Sequence, residues 1–173
     1  MNRTLSKLRD DYISDKKFLK ELQTHPAFGL NWWDGITEDK EYNPFHKFIT
    51  MVWPEHRWVG FEYWVNEYPI GNHLEWHNDK DEGEFKETGR VLSPDEGIVF
   101  WTHADELKGG NLEIRNGDNT LTVAPKANRL IMFDTSLPHR VTEVKAGKRR
   151  ALLVNPWRYK PKTFSKQDRV VYL

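Results

Sequence analysis

Residues 129–154 read RLIMFDTSLPHRVTEVKAGKRRALLV, and three runs inside them decide the fold class: Arg129-Leu130-Ile131-Met132-Phe133, His139-Arg140-Val141-Thr142-Glu143-Val144 and Arg150-Ala151-Leu152-Leu153-Val154. Each run is short and rich in aliphatic or β-branched residues, and each gap between them holds a proline or a glycine. Outward from this stretch the texture repeats in Thr120-Leu121-Thr122-Val123, Asn111-Leu112-Glu113-Ile114 and Ile98-Val99-Phe100-Trp101-Thr102. It repeats again from Val59 to Tyr68, which ends at the turn signal Pro69-Ile70-Gly71. Asn116-Gly117-Asp118-Asn119 is a hairpin signal between two of the runs. Short strands at this spacing predict a mainly β protein: a sandwich, a barrel or a jelly roll.

The flanking regions read differently. Leu5, Leu8, Tyr12, Ile13, Phe18, Leu19 and Leu22 recur at roughly helical spacing over residues 4–22, which predicts one or two amphipathic helices covering a sheet face. His25-Pro26 ends that pattern, because a residue before proline disfavours the helical region. Trp32, Trp33, Trp53, Trp58 and Trp64 follow, with Phe45, Phe48 and Phe61; rings of this size most often pack between layers. Asp79 to Gly97 is charged, holds three glycines and has few apolar anchors, so it reads as a long loop, with a lid as its natural role.

A chain of 173 residues suits one domain, here 1–173, with a helical and Trp-rich support region at 1–58, a β core at 59–157 and a tail at 158–173. Twenty-six basic residues balance 26 acidic ones, so no global field draws the chain to extended nucleic acid or anionic lipid. No cysteine is present, which excludes disulfides, thiolate metal sites and cysteine nucleophiles. No apolar run approaches the roughly 20 residues that span a bilayer, and the polar start lacks a signal-peptide core. The expectation is a soluble, unprocessed, cytoplasmic protein.

The chemistry concentrates in His77-Asn78-Asp79, in His139 sixty positions after Asp79, and in Arg149 ten positions further on. If residues 73–79 are extended, His77 and Asp79 share a face about 7 Å apart and reach one cation together. Two imidazoles and a carboxylate suit non-haem Fe(II) and leave positions open for a co-substrate and O2. His139 follows Pro138 at a strand start, where the chain is easily aimed inward. His73 and Glu75 share the parity of His77, but three protein ligands already suffice, so both stay outside the set. A helical reading of His73-x-x-x-His77 fails because Leu74 stands where a zincin needs glutamate. A guanidinium beside such a site grips a carboxylate through two parallel hydrogen bonds. Arg149 and Arg150 both offer one; the spacing after Gly147 favours Arg149, while strand alternation cannot choose because both faces of residues 149–155 are apolar further along.

These residues resemble the 2-oxoglutarate and Fe(II)-dependent dioxygenases, nearest the prolyl 4-hydroxylase-like branch. The likeness runs from about Phe61 to Trp157 and is carried by Tyr68-Pro69-Ile70-Gly71 before His77-Asn78-Asp79, by Gly109-Gly110-Asn111-Leu112-Glu113-Ile114, by Pro125 to Phe133, and by His139 to Val144 through Gly147-Lys148-Arg149. The resemblance implies a double-stranded β-helix, a jelly-roll or cupin-like barrel with iron at its mouth. It implies that His77, Asp79 and His139 hold Fe(II), that Arg149 binds the distal carboxylate of 2-oxoglutarate, and that Tyr68 lines the co-substrate pocket. O2 is then the second co-substrate, and the reaction is hydroxylation of an unactivated C–H bond with release of succinate and CO2.

The chain departs from the branch where substrate would be chosen. Leu74 stands where a tyrosine is common, Trp101 near the place of a second tyrosine, and Asn155 or Trp157 near the usual closing tryptophan. The primary substrate is therefore expected to be a peptidyl residue, prolyl among them, or a small amino-acid-like molecule. The competing reading is a non-oxygenase, cupin-like protein that binds a metal or small molecule.

Overall fold

The computed structural model describes residues 6–37, 41–54 and 57–165. Its elements in chain order are β1 (Ser6–Arg9), α1 (Lys16–Thr24), β2 (Phe28–Trp33), α2 (Pro44–Val52), β3 (Gly60–Tyr68), β4 (Leu74–His77), α3 (Glu82–Thr88), β5 (Gly97–Gly109), β6 (Leu112–Asn116), β7 (Asn119–Val123), β8 (Arg129–Phe133), β9 (His139–Val141), β10 (Val144–Trp157) and α4 (Lys162–Ser165). The strands form a six-stranded sheet in the order β1-β8-β5-β10-β3-β2 and a four-stranded sheet in the order β4-β9-β6-β7. All pairings are antiparallel. Two antiparallel sheets facing each other, with helices on one outer face, make the expected double-stranded β-helix.

The large sheet is buried on both faces, and alternation along its strands divides the core in two. Phe61, Tyr63 and Val65 of β3, Ile98 and Phe100 of β5, and Leu152 and Val154 of β10 face the helices, packing with Leu22 of α1 and Phe45, Phe48 and Ile49 of α2. Val99, Trp101, Ile131, Phe133 and Ala151 face the small sheet, meeting Leu112, Ile114 and Val123. Burying each large apolar side chain stabilises the fold by roughly 1.5–3 kcal/mol before conformational entropy is set against it. Both helices on the outer face start on side-chain caps. The Asp15 carboxylate accepts from the Lys17 and Phe18 amides, and Asn43 caps α2 ahead of Pro44.

Three sequence expectations change. Residues 6–9 form a strand rather than part of a helix, since Leu8 pairs with Ile131 across β1 and β8; Leu5 lies outside the described residues. Asn128 then fixes the exit from that strand, its amide bonded to Ile13 N and O at 2.9 Å each. Long-range pairing here overrides a helical periodicity that only α1 realises. Second, the helical and Trp-rich support region contains an edge strand, β2, beside the helix α2, while Trp53 and Trp58 pack in the core as rings of that size were expected to. Third, the charged segment after Asp79 is not a loop throughout. Asp81 caps α3 by accepting from Gly83 and Glu84 amides at 3.1 Å and also accepts from Lys162 N at 2.9 Å. The Lys162 ammonium meets Glu84 at 2.6 Å and Glu87 at 2.9 Å, which ties α3 to α4. Of the tail at 158–173, residues 166–173 lie outside the described residues. No helix among the described residues is long and apolar enough to cross a membrane.

Candidate metal centre and its pocket

β4 and β9 pair so that His77 stands directly opposite His139. Their rings are 4.2 Å apart between centroids. The residues following β4 are stitched to the turn before β9: Asp79 N donates to Thr135 O at 3.1 Å, and the Asn78 amide donates to Ser136 O. That turn is itself set by Asp134, whose carboxylate accepts from Ser136 N at 3.0 Å. Two distant stretches of chain are thereby locked in register, which brings Asp79 Oδ1 within 3.5 Å of Nε2 of both histidines.

His77, Asp79 and His139 offer ligand atoms that all lie within 4.8 Å of one another. His77 Nδ1 is 2.8 Å from Glu75 O and His139 Nδ1 is 2.8 Å from Leu137 O. A carbonyl accepts only, so each ring holds a proton on Nδ1, which leaves Nε2 as the nitrogen that faces Asp79 and would meet a cation. Burial alone raises the Asp79 carboxyl, but hydrogen bonds from His139 and His77 outweigh it and hold the group ionised, well below the usual carboxylate range. For His77, burial works against the charged form, while the Asp79 carboxylate and the Glu75 carbonyl prevail and raise its pKa. One buried carboxylate flanked by two imidazole nitrogens offers three donors to a small divalent cation. The donor set, two nitrogens and one oxygen with a free side, is that of a non-haem Fe(II) site. His73 stands apart, paired with Glu75 at 2.8 Å.

The triad opens onto a cavity of about 250 Å³ between the two sheets. Its walls include Tyr68, Leu74, Val141, Leu153 and Phe133, with Arg149 among the residues that line it. Tyr68 and Arg149 are cross-strand partners on β3 and β10, and the guanidinium lies 5.0 Å from the Tyr68 ring centroid. Arg149 Nε donates to Gly110 O at 2.9 Å, and no carboxylate pairs with the guanidinium among the described residues. Gly110, at φ +64°, makes room for it: a Cβ there would lie 2.9 Å from Arg149 Cδ. Burial lowers the Arg149 pKa to about 10, which leaves it cationic at neutral pH. Burial likewise raises the Tyr68 hydroxyl, with Arg149 working against the shift.

Arg150 goes to the opposite face. It donates to Leu22 O at 2.9 Å, to Gln23 O at 3.4 Å, to Thr102 Oγ1 at 3.0 Å and to His25 O, so it caps the C-terminus of α1. Arg140 also points away from the triad, pairing with Glu113 at 2.7 Å and lying 4.7 Å from the Trp76 ring. Trp101 is wholly buried between the sheets and does not line the cavity.

The sequence reading passed over several polar groups in this cavity. Asn66 Oδ1 and Thr135 Oγ1 are buried without a hydrogen-bond partner, and both residues line the pocket. Buried polar groups are normally paired, so both leave hydrogen-bonding capacity open on the cavity wall. Behind the cavity wall, and also passed over, Glu62 is 8% exposed between Phe61 and Tyr63 on β3, where it is one of two glutamates. Burial, followed by repulsion from Asp79, pushes its pKa up to about 7.

Residues 63–157 match the family described as the 2OG-Fe(II) oxygenase superfamily. A prolyl-4-hydroxylase from Pseudomonas putida superposes with a TM-score of 0.64 at 14% identity, covering 90% of this chain and 94% of that one. A Trichoplax adhaerens prolyl hydroxylase, solved with a peptide fragment of the hypoxia inducible factor oxygen degradation domain, gives 0.63 at 14% identity, covering 95% and 88%. A Burkholderia pseudomallei oxidoreductase of the 2OG-Fe(II) oxygenase family gives 0.64 at 12% identity, covering 92% and 87%. At such identities the likeness is one of fold. No curated protein matches the sequence significantly.

Proposed function

Since the chain belongs to the 2OG-Fe(II) oxygenase superfamily, matched over more than half its length, we propose that it hydroxylates a C–H bond of a peptidyl residue, prolyl among the candidates, or of a small amino-acid-like molecule. His77, Asp79 and His139 hold Fe(II), and Arg149 with Tyr68 receives 2-oxoglutarate. The observation that carries this reading is a buried, acid-free guanidinium in the same cavity of about 250 Å³ as the two-histidine, one-carboxylate cluster. Bound Fe(II), with 2-oxoglutarate and O2, supplies the oxidising power that puts one oxygen atom into the substrate while 2-oxoglutarate leaves as succinate and CO2.

The chain's own residues do the rest. Arg149 binds the distal carboxylate through charge-assisted hydrogen bonds, strengthened because the site is buried. The Tyr68 and Thr135 hydroxyls and the Asn66 amide give the co-substrate's remaining oxygens or bound water a partner. Leu74, Val141, Leu153 and Phe133 exclude water around it. The open cleft of about 480 Å³ bounded by Arg57, Trp58, Asp95, Asp134 and Arg158 shares Phe133 with the cavity, which favours an extended substrate laid beside the site.

Anaerobic titration of the Fe(II)-loaded protein with 2-oxoglutarate tests the reading. A visible charge-transfer band that saturates at one equivalent is expected. If no band appears while Fe(II) remains bound, the co-substrate assignment fails. Succinate release against panels of peptides, amino acids and nucleosides then identifies the substrate.

A further inference from the structure

Asp79 has two unlike oxygens. Oδ1 is the atom 3.5 Å from both histidine Nε2 atoms. Oδ2 points elsewhere and accepts from Asn155 Nδ2 at 3.0 Å. The same nitrogen lies 3.3 Å from Glu62 Oε2, which also accepts from the Trp157 indole at 3.2 Å. A primary amide nitrogen carries two hydrogens, so one Asn155 amide serves two buried carboxylates that would otherwise face each other unscreened.

The orientation of that amide is over-determined. Turning it over would set its carbonyl oxygen against both carboxylates, so only one orientation is stable. Asn155 and Glu62 are register partners on β10 and β3, which fixes their backbones relative to each other. On the far side, a Cβ at Gly97 would lie 2.2 Å from Asn155 Oδ1 and 2.7 Å from Thr135 Cγ2. The amide is seated in a slot that only glycine leaves open.

We infer that Asn155 is a positioning residue: it pins Oδ2 of Asp79 so that the carboxylate meets the metal through Oδ1 alone, and Glu62 anchors Asn155 in that role. The inference rests on the metal role of Asp79 proposed above. A carboxylate free to turn can give a cation both oxygens, filling a position that the co-substrate needs. Hydrogen bonds to ligating side chains commonly govern metal affinity by ten- to hundred-fold, roughly, when removed.

Co(II) titration followed by its visible spectrum tests this, since the bands report coordination number and the readout needs no turnover. Asn155→Leu is expected to weaken Co(II) binding about tenfold or more and to change the band shape. Glu62→Leu is expected to do the same in smaller degree, and Glu62→Gln, which keeps an acceptor oxygen, restores the wild-type spectrum. An Asn155→Leu protein that melts normally and binds Co(II) with unchanged affinity and spectrum overturns the inference. If that variant does not fold, Asn155→Ala is read by the same two criteria. Asp79→Ala separates the levels. Lost Co(II) binding there, with intact binding in Asn155→Leu, sinks the positioning role alone; intact binding in Asp79→Ala sinks the metal assignment and this inference together.

Discussion

The two faces of the six-stranded sheet are made of the same strands and do opposite things. Towards the helices, Phe48, Phe100, Leu22 and Leu152 are fully buried and interlock as a filled core. Towards the small sheet, the same strands leave a cavity lined by Asn66, Tyr68, Arg149, Thr135 and Asn155. Arg149 and Arg150 make the contrast at adjacent positions. One guanidinium turns into the cavity without an acid partner, while the other closes the end of α1. Face, rather than residue type, separates a candidate binding group from a structural one, because alternation sends neighbours to different surroundings.

The strongest way to break the contrast is at the triad. Asp79→Ala should lower succinate formation by roughly a thousandfold or more, equivalent to about 4 kcal/mol, with little loss in denaturant midpoint. On the helix face the reverse holds: Phe100→Ala should cost about 3–5 kcal/mol of unfolding free energy. Any activity lost there should track the unfolded fraction.

The arginine pair sharpens the comparison. Arg149→Ala should raise the KM for 2-oxoglutarate by roughly thirtyfold or more, reflecting about 2–3 kcal/mol of charge-assisted bonding, with kcat less affected. Arg150→Ala should leave that KM unchanged and cost about 2 kcal/mol of stability through the uncapped carbonyls of α1. Equal KM effects from the two would end the distinction between the faces.

The smallest effect is in pH. Glu62 has a folded-state pKa of about 7, above its ordinary 4.5. Between those values the folded state binds more protons than the unfolded one, so stability falls as pH rises. The groups that face it are Asp79, Asp81, Asn155 and Trp157. In metal-free protein, wild type should lose at most about 1.4 kcal/mol relative to Glu62→Gln between pH 5.5 and 6.5. A flat difference would show that Glu62 stays ionised.

What could be read from the chain was what is written locally. The hairpin at Asn116–Asn119, the β runs and the ligand-bearing pattern of His77, Asp79 and His139 are short-range signals, and the three side chains do converge. β1 was misread because its partner, β8, lies more than a hundred positions away. α3 was missed because its cap, Asp81, sits in a run of charges that resembles solvated loop. The choice between Arg149 and Arg150 could not be made from alternation because both sheet faces are buried. The Asn155–Glu62 contact spans 93 positions, and nothing near either residue announces it.

The candidate ligands straddle a sheet margin. β4 has β9 as its single neighbour and forms one edge of the four-stranded sheet, with His77 on one side of that seam and His139 on the other. A cation held between them doubles as a rivet through an otherwise frayable border. Occupancy and edge-strand breathing would then be two readings of one equilibrium, and amide exchange along Leu74–His77 in protein with and without added Fe(II) would gauge whether a cation is held there.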